Sequence, residues 1–303
     1  MTSTQTKTLT IFAPAKINLY LHVTGRLDNG YHTLDSMVGF ADIGDEIRIE
    51  PATLDFAFNV QGPYANAFSP KEIDASPNSS NLAVQAAWAI SRAAQKIPDV
   101  KITLTKNLPL ASGLGGGSAD AAAIIWGLLE WWGVSRQSSY LPSLLATLGA
   151  DVPACLNCEA SRLRGIGDII DPVPPMPEIP IVLVNPGKSC PTGQVFSRYN
   201  GQFREPEKLP ETLGTLEELT DFIGPKNNDL YGPACKVVPE IENVLRAIDA
   251  QAGCRLARMV GAGATCFGLF ETEKQAGDAA KNLGEENPDW WARAGMLNRP
   301  ERY

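Results

Sequence analysis

Positive charge and histidine are what this sequence is short of. Lysine and arginine together number 26 against 34 aspartates and glutamates, a formal net charge of −8 over 303 residues. That balance excludes a generic nucleic-acid or anionic-membrane surface and leaves room only for a local basic site. Histidine occurs twice, as His22 and His32. Both lie far upstream of Cys155 and Cys158, the one C-x-x-C pair, so the second ligand pair of a structural zinc site is missing. Six scattered cysteines in a chain of this length fit a reduced, cytoplasmic protein. No apolar run approaches a membrane span. The most apolar stretch, Ala121 to Gly133, is short and is interrupted by Glu130. The first residues lack the charged-then-apolar order of a signal peptide, and there is no repeat or low-complexity tract.

What is present is ordinary globular composition, 44% hydrophobic and 20% charged, enough for one large domain or two average ones. The first third alternates in the manner of strands: TLTIFA, KINLYLHVTG, DEIRIE and LDFAFNV, with Asn29-Gly30 as a turn. SSNLAVQAAWAISRAAQ switches to helical period behind a Ser or Asn cap, and VKITLTK returns to strand. Helices are predicted over about Ser118–Trp132 and Ser138–Leu148. IPIVLVNPG reads as a buried strand and Gly201–Lys226 as surface helix and loop. VVPEIENVLRAIDAQAG reads as a helix stopped by Gly253, CRLARMVGAGATCFGLF as strand, glycine turn and strand, and TEKQAGDAAKNL as a helix with a threonine cap. Trp131, Trp132, Trp290 and Trp291 read as core or helix-packing residues. The whole is α+β in two segregated halves, with the proline cluster from Pro172 to Pro180 at the boundary.

The stretch PLASGLGGGSADAA, from Pro109 to Ala122, carries the chemistry. Strand, glycine loop and helix together present unpaired backbone N–H groups to an anion. The helix dipole adds roughly half a positive charge at that end. Glycine lets a ligand approach the backbone closely. The loop lacks the lysine of the Walker A pattern. It also misses the dinucleotide fingerprint, because Ser118 stands where the last glycine belongs and Glu130 lies inside the helix. A tight structural turn is the remaining reading of these residues alone.

The same stretch resembles the second motif of the GHMP kinases. PAKINLYLHVTGRLDNGYH, from Pro14 to His32, and LGADVPACL, from Leu148 to Leu156, are similar to signatures of those members that act on a diphosphocytidyl sugar alcohol. GAGATCFGLF, from Gly261 to Phe270, resembles the third motif, with Val260 and Ala262 where serines are common. The resemblance runs in order through nearly the whole chain. It implies a two-domain GHMP kinase fold, with a half like ribosomal protein S5 domain 2 over residues 1–164 and a ferredoxin-like half over 165–303. The active site would lie in the cleft between them. It implies transfer of the γ-phosphoryl of ATP, with Mg²⁺, to the C2 hydroxyl of the diphosphocytidyl alcohol, on the non-mevalonate route to isoprenoid precursors. A monomer or homodimer is implied.

Matched residue by residue, the resemblance makes Asp151 the general base and Lys16 the partner that orients it. Asn18, two strand positions from Lys16, goes to the substrate alcohol. His32 contacts the cytosine, Tyr31 and Phe196 wall the base from opposite sides, and Thr192 meets the substrate. The ATP loop comprises Pro109, Leu110, Ala111, Ser112, Gly113, Leu114, Gly115, Gly116, Gly117, Ser118 and Ala119. Ser118 offers a hydroxyl to metal or phosphate, and no carboxylate metal ligand is assigned. A sister GHMP kinase with another small alcohol and a catalytically silent nucleotide-binding protein are the alternatives at this point.

Overall fold

A computed structural model describes residues 7–52 and 55–299. One long antiparallel ribbon sets the frame. β1 (Leu9–Arg26) and β2 (His32–Pro51) pair along nearly their full lengths around the Asn29-Gly30 turn. The two strands expected at TLTIFA and KINLYLHVTG are therefore one. Pro14 is accommodated at a register shift between Pro14 and Lys16, where the missing N–H leaves no gap in the ladder. β3 (Ala57–Gln61) follows, then α1 (Leu82–Ala94), capped by the Asn81 side chain on the N–H of Ala83. β4 (Val100–Thr105) pairs with β3 in parallel and with the second half of β2 antiparallel.

α2 (Gly116–Trp132) starts two residues earlier than its propensities suggest. Gly115 takes the left-handed conformation at its N-cap (φ 66°), so the glycines that follow enter the helix. The helix lies hard against the β1–β2 ribbon: a Cβ on Gly127 would stand 2.4 Å from Ile49 and 2.7 Å from Ile11. α3 (Leu141–Leu148) begins three residues later than expected, and α4 (Val152–Asn157) follows after a three-residue break. β5 (Ser161–Gly165) adds to the first half of β2, and β6 (Ile169–Pro172) pairs with β5.

The remaining elements build a second layered unit. β7 (Ile179–Asn185) is buried throughout. α5 (Thr192–Phe196), α6 (Leu216–Ile223), α7 (Tyr231–Cys235) and α8 (Ile241–Asp249) precede β8 (Cys254–Met259) and β9 (Cys266–Phe270). The helix expected over VVPEIENVLRAIDAQAG is confined to α8, because Pro239 interrupts the residues before it. α9 (Glu273–Glu286) begins with a capping box between Thr272 and Gln275. β10 (Trp291–Leu297) closes the unit, so Trp291 sits in a strand. The order here is β10-β7-β9-β8, all antiparallel, and one residue pair, Leu297 with Ala41, joins it to β2.

Three hydrophobic clusters follow this layout. One fills the space between β1, β2, β4 and the helices α1, α2 and α4. A second packs α8 and α9 onto β7 and β9. The third joins the two, with Ile17, Leu19, Leu114, Val260 and Phe267 in contact across the seam. Among the described residues, no helix is long and apolar enough to cross a membrane. Cys155 and Cys158 are buried and form no disulfide, and burial pushes the Cys155 thiol up.

Candidate active site

One cavity of about 1000 Å³ opens along the seam between the units. That is room for two substrates of nucleotide size at the upper end of ordinary ligand pockets. The glycine loop forms one wall. Pro109, Leu110, Ala111, Ser112, Gly113, Gly115, Gly116, Gly117 and Ser118 line it, whereas Leu114 and Ala119 do not, being wholly buried in the core. Leu114 serves differently. Its carbonyl accepts the N–H of Lys16 at 2.9 Å, where β1 steps out of register. The loop is pinned from the second unit as well. The N–H of Cys190 donates to the carbonyl of Ala111 (2.9 Å) and that of Thr265 to Ser112 (3.1 Å). Gly261 and Ala262 of the third motif reach the cavity wall, and Val260 is core.

Lys16 and Asp151 meet across this cavity although 135 residues separate them, with Nζ 2.9 Å from Oδ1. The lysine is buried and the aspartate is 39% exposed. Two local features aim them. The bulge in β1 turns Lys16 toward the loop, where its Cε lies 3.2 Å from where a Gly115 Cβ would stand, so glycine is required there. Asp151 occupies the N-cap of α4 with proline just inside the helix, which fixes its backbone. Asn18 shares the Lys16 face, as strand period requires. Its Nδ2 donates to Ser36 Oγ (2.8 Å), and its buried Oδ1 has no partner.

The aromatic end differs from expectation. Phe196 stacks on His32 itself, ring centroids 5.2 Å apart at 23°, and Tyr199 meets His32 edge-on at 5.6 Å. Tyr31 lines the same cavity but is 61% exposed. The His32 and Phe196 rings thus stack through one face each, with no gap between them for a base. Burial, and then the Arg26 charge, hold the His32 imidazole below its usual range, so the ring is neutral near pH 7. Thr192 lines the cavity at the start of α5.

Sequence reasoning missed three charged residues behind the loop. Lys106 Nζ bonds Asp45 Oδ2 at 2.5 Å and Asp120 Oδ2 at 2.6 Å, all three side chains buried. Burial pushes Asp120 up against the downward pull of Lys106. Burial also pulls Lys106 down, but the two carboxylates outweigh it and it rises. One ammonium shared by two carboxylates leaves a negative charge in excess, which raises Lys106 and adds a smaller upward push from Asp45 to the effect of burial on Asp120. The available signal was a lysine and an aspartate 14 residues apart on either side of the glycines.

An amide-lined loop at a helix start, facing a lysine–carboxylate pair across one cleft, defines a small-molecule kinase of the GHMP class. The models for the GHMP kinases N terminal domain and the GHMP kinases C terminal match residues 81–159 and 227–289. A 4-diphosphocytidyl-2-C-methyl-D-erythritol kinase of Paramagnetospirillum magneticum is 41% identical over 95% of this chain and 98% of its own. One of Cereibacter sphaeroides is 44% identical over 92% and 96%. A crystal structure of 4-(cytidine 5'-diphospho)-2C-methyl-D-erythritol kinase superposes with a TM-score of 0.74 at 33% identity, covering 95% of this chain and 99% of that one. Homoserine kinase from Cytophaga hutchinsonii shares the fold at 16% identity and a TM-score of 0.69. The chain belongs to the 4-diphosphocytidyl-2-C-methyl-D-erythritol kinase family.

Proposed function

We infer that the protein transfers the γ-phosphoryl of ATP to the C2 hydroxyl of 4-diphosphocytidyl-2-C-methyl-D-erythritol. The products are the 2-phosphate and ADP, in the non-mevalonate route to isopentenyl diphosphate. The observation that carries this reading is the 2.9 Å pair of Lys16 and Asp151 opposite the glycine loop. Phosphoryl transfer needs little covalent chemistry from the protein and much positioning. Loop amides at the start of α2 hold the phosphates. Asn18 Oδ1, buried and unpartnered, accepts a hydrogen bond from a substrate hydroxyl and orients the alcohol. Asp151 Oδ2, which Lys16 does not engage, takes the hydroxyl proton. The oxygen forms its bond to γ-phosphorus as the bond to the β-phosphate oxygen breaks, and ADP leaves with that electron pair. Lys16 holds Asp151 in place and offsets charge on the phosphoryl group in flight.

Mg²⁺ belongs to the same reading, because it offsets charge between the β- and γ-phosphates. The donor set fits. Ser118 brings a hydroxyl to the cavity at the first turn of α2, and a Mg²⁺ that keeps waters and phosphate oxygens needs few protein ligands. Among the described residues, no group of three or more His, Cys, Asp or Glu forms a site that holds a metal by itself. The reading also includes an ATP-binding unit over 1–164 and a second unit over 165–303, a monomer or homodimer, and a cytoplasmic location. A hydrophobic cluster whose buried residues all precede residue 165 supports the division, and cysteines outside any disulfide support the location.

The test is a coupled ADP-release assay with the diphosphocytidyl alcohol, run beside mevalonate, galactose and homoserine. Release with the first alone is the expected result. Release with one of the others, or tight ATP binding without transfer to any alcohol, overturns the reading. A second experiment addresses the base pocket. For Tyr31 and Phe196 to enclose a cytosine, the base takes the Phe196 face that His32 leaves open or displaces His32 from its stack. Phe196→Ala is expected to raise the KM of the diphosphocytidyl substrate about tenfold, the value of one base–aromatic stack. The ATP KM should stay in place. An unchanged substrate KM removes Phe196 from the pocket.

A further inference from the structure

The glycine loop contains no cation, yet a buried ammonium stands directly behind it. Lys106 follows β4 and enters the loop, and Asp120 lies one turn inside α2, where the loop ends. Their 2.6 Å ion pair ties the two ends together. Asp45, from β2, holds the same ammonium through Oδ2. Its Oδ1 accepts the backbone N–H groups of Asn107 (2.6 Å) and Leu108 (2.8 Å), the next two residues into the loop. Gly116 closes over this cluster. A Cβ there would sit 3.1 Å from Lys106 Nζ and 3.6 Å from Asp45 Oδ2, so the absent side chain is what lets the loop rest on the ammonium. Lys106 and Asp120 both reach the cavity wall, and Asp120 Oδ1 is buried with no partner.

A buried charge cluster of this kind is weak evidence for stability, because desolvation cancels much of the attraction. Its geometry is more informative, since every contact fixes either the entry or the exit of the anion-binding loop. We propose that Asp45, Lys106 and Asp120 form a tether of positioning residues that holds the loop amides in their phosphate-binding geometry and so sets the affinity for ATP. The tether acts through the loop backbone and makes no hydrogen bond or ion pair to Lys16 or Asp151, so it governs nucleotide binding and not the choice of alcohol. It rests on the reading of the loop as the ATP site.

The experiment is steady-state kinetics on the full chain, varying ATP and the diphosphocytidyl alcohol separately, with the melting temperature of each variant. Asp120→Ala is expected to raise the KM for ATP about tenfold while the alcohol KM moves less than about twofold. Asp120→Asn retains an oxygen that accepts from Lys106, and is expected to recover the ATP KM to within about threefold of the parent. An unmoved ATP KM in Asp120→Ala, equal defects in the two variants, or both KM values rising together overturns the tether. If Asp120→Ala does not fold, the double variant Lys106→Met, Asp120→Asn replaces it. That variant leaves only Asp45 charged, with its two backbone donors. It is expected to show the same tenfold rise, and a parental ATP KM in it overturns the proposal. Gly117→Leu separates the two readings, because a Cβ at Gly117 meets nothing within 4 Å and the added side chain enters the cavity without disturbing the fold. If Gly117→Leu leaves the ATP KM unmoved, the loop is not the ATP site and the tether falls with it. If Gly117→Leu raises the ATP KM and Asp120→Ala does not, the tether alone falls.

Discussion

Asp151→Asn is expected to lower kcat by about a thousandfold, within the range that a positioned general base contributes, while ATP binds with nearly parental affinity. The substitution keeps the shape of the side chain and removes its ability to take a proton. Asp151 is 39% exposed, so the amide is readily hydrated, and its oxygen still accepts a hydrogen bond from the buried Lys16 ammonium. Lys16 loses its ion-pair partner but keeps its place beside Gly115, where it is packed by the loop. The measurement is kcat from ADP release together with a direct ATP titration of the same preparation. A variant with normal kcat removes Asp151 from the role of base. Loss of ATP binding together with kcat shows instead that the change has disturbed the loop.

Lys16→Met is expected to cost about a hundredfold or more in kcat, with a smaller effect on either KM. Methionine fills most of the volume of the lysine chain, so the close approach to Gly115 is retained and the test isolates the charge. Removing the ammonium releases Asp151 from its 2.9 Å contact and takes a positive charge out of the cleft. Because the two side chains act as one unit, the double variant Lys16→Met, Asp151→Asn is expected to be no slower than the worse of the two singles. Fully additive losses would mean that the residues work independently and that the ion pair is incidental to the chemistry.

Local patterns in the sequence were sufficient for much of the frame. The alternation in VKITLTK, the apolar run in IPIVLVNPG and the threonine before α9 each report on backbone hydrogen bonding and side-chain direction within a few residues. The glycine loop was legible for the same reason, since a run of glycines before an alanine-rich helix constrains its own backbone. Errors were confined to places where one rule met another. TLTIFA and KINLYLHVTG read as two strands and proved to be one, with Pro14 at a bulge. The glycines before Ser118 looked non-helical, and Gly115 in the left-handed conformation let the next two join α2. β10 went unassigned, because its residues are a strand only by virtue of their pairing with β7.

The sequence by itself determined the loop, the strand face shared by Lys16 and Asn18, and the family resemblance that singled out Asp151. Only the tertiary structure decided which charges meet. Lys16 and Asp151 are 135 residues apart, and Lys106 lies 61 residues from Asp45; nothing in the local pattern of either distinguishes them from solvated surface charges. The physical reason is that a charge is buried only when the folded backbone supplies its partner. That partner arrives with the closure of the β1–β2 ribbon over α2 and the docking of α4, events that no window of neighbouring residues encodes. The stacking of His32 on Phe196 has the same origin, since the second unit brings α5 against the turn that carries the histidine.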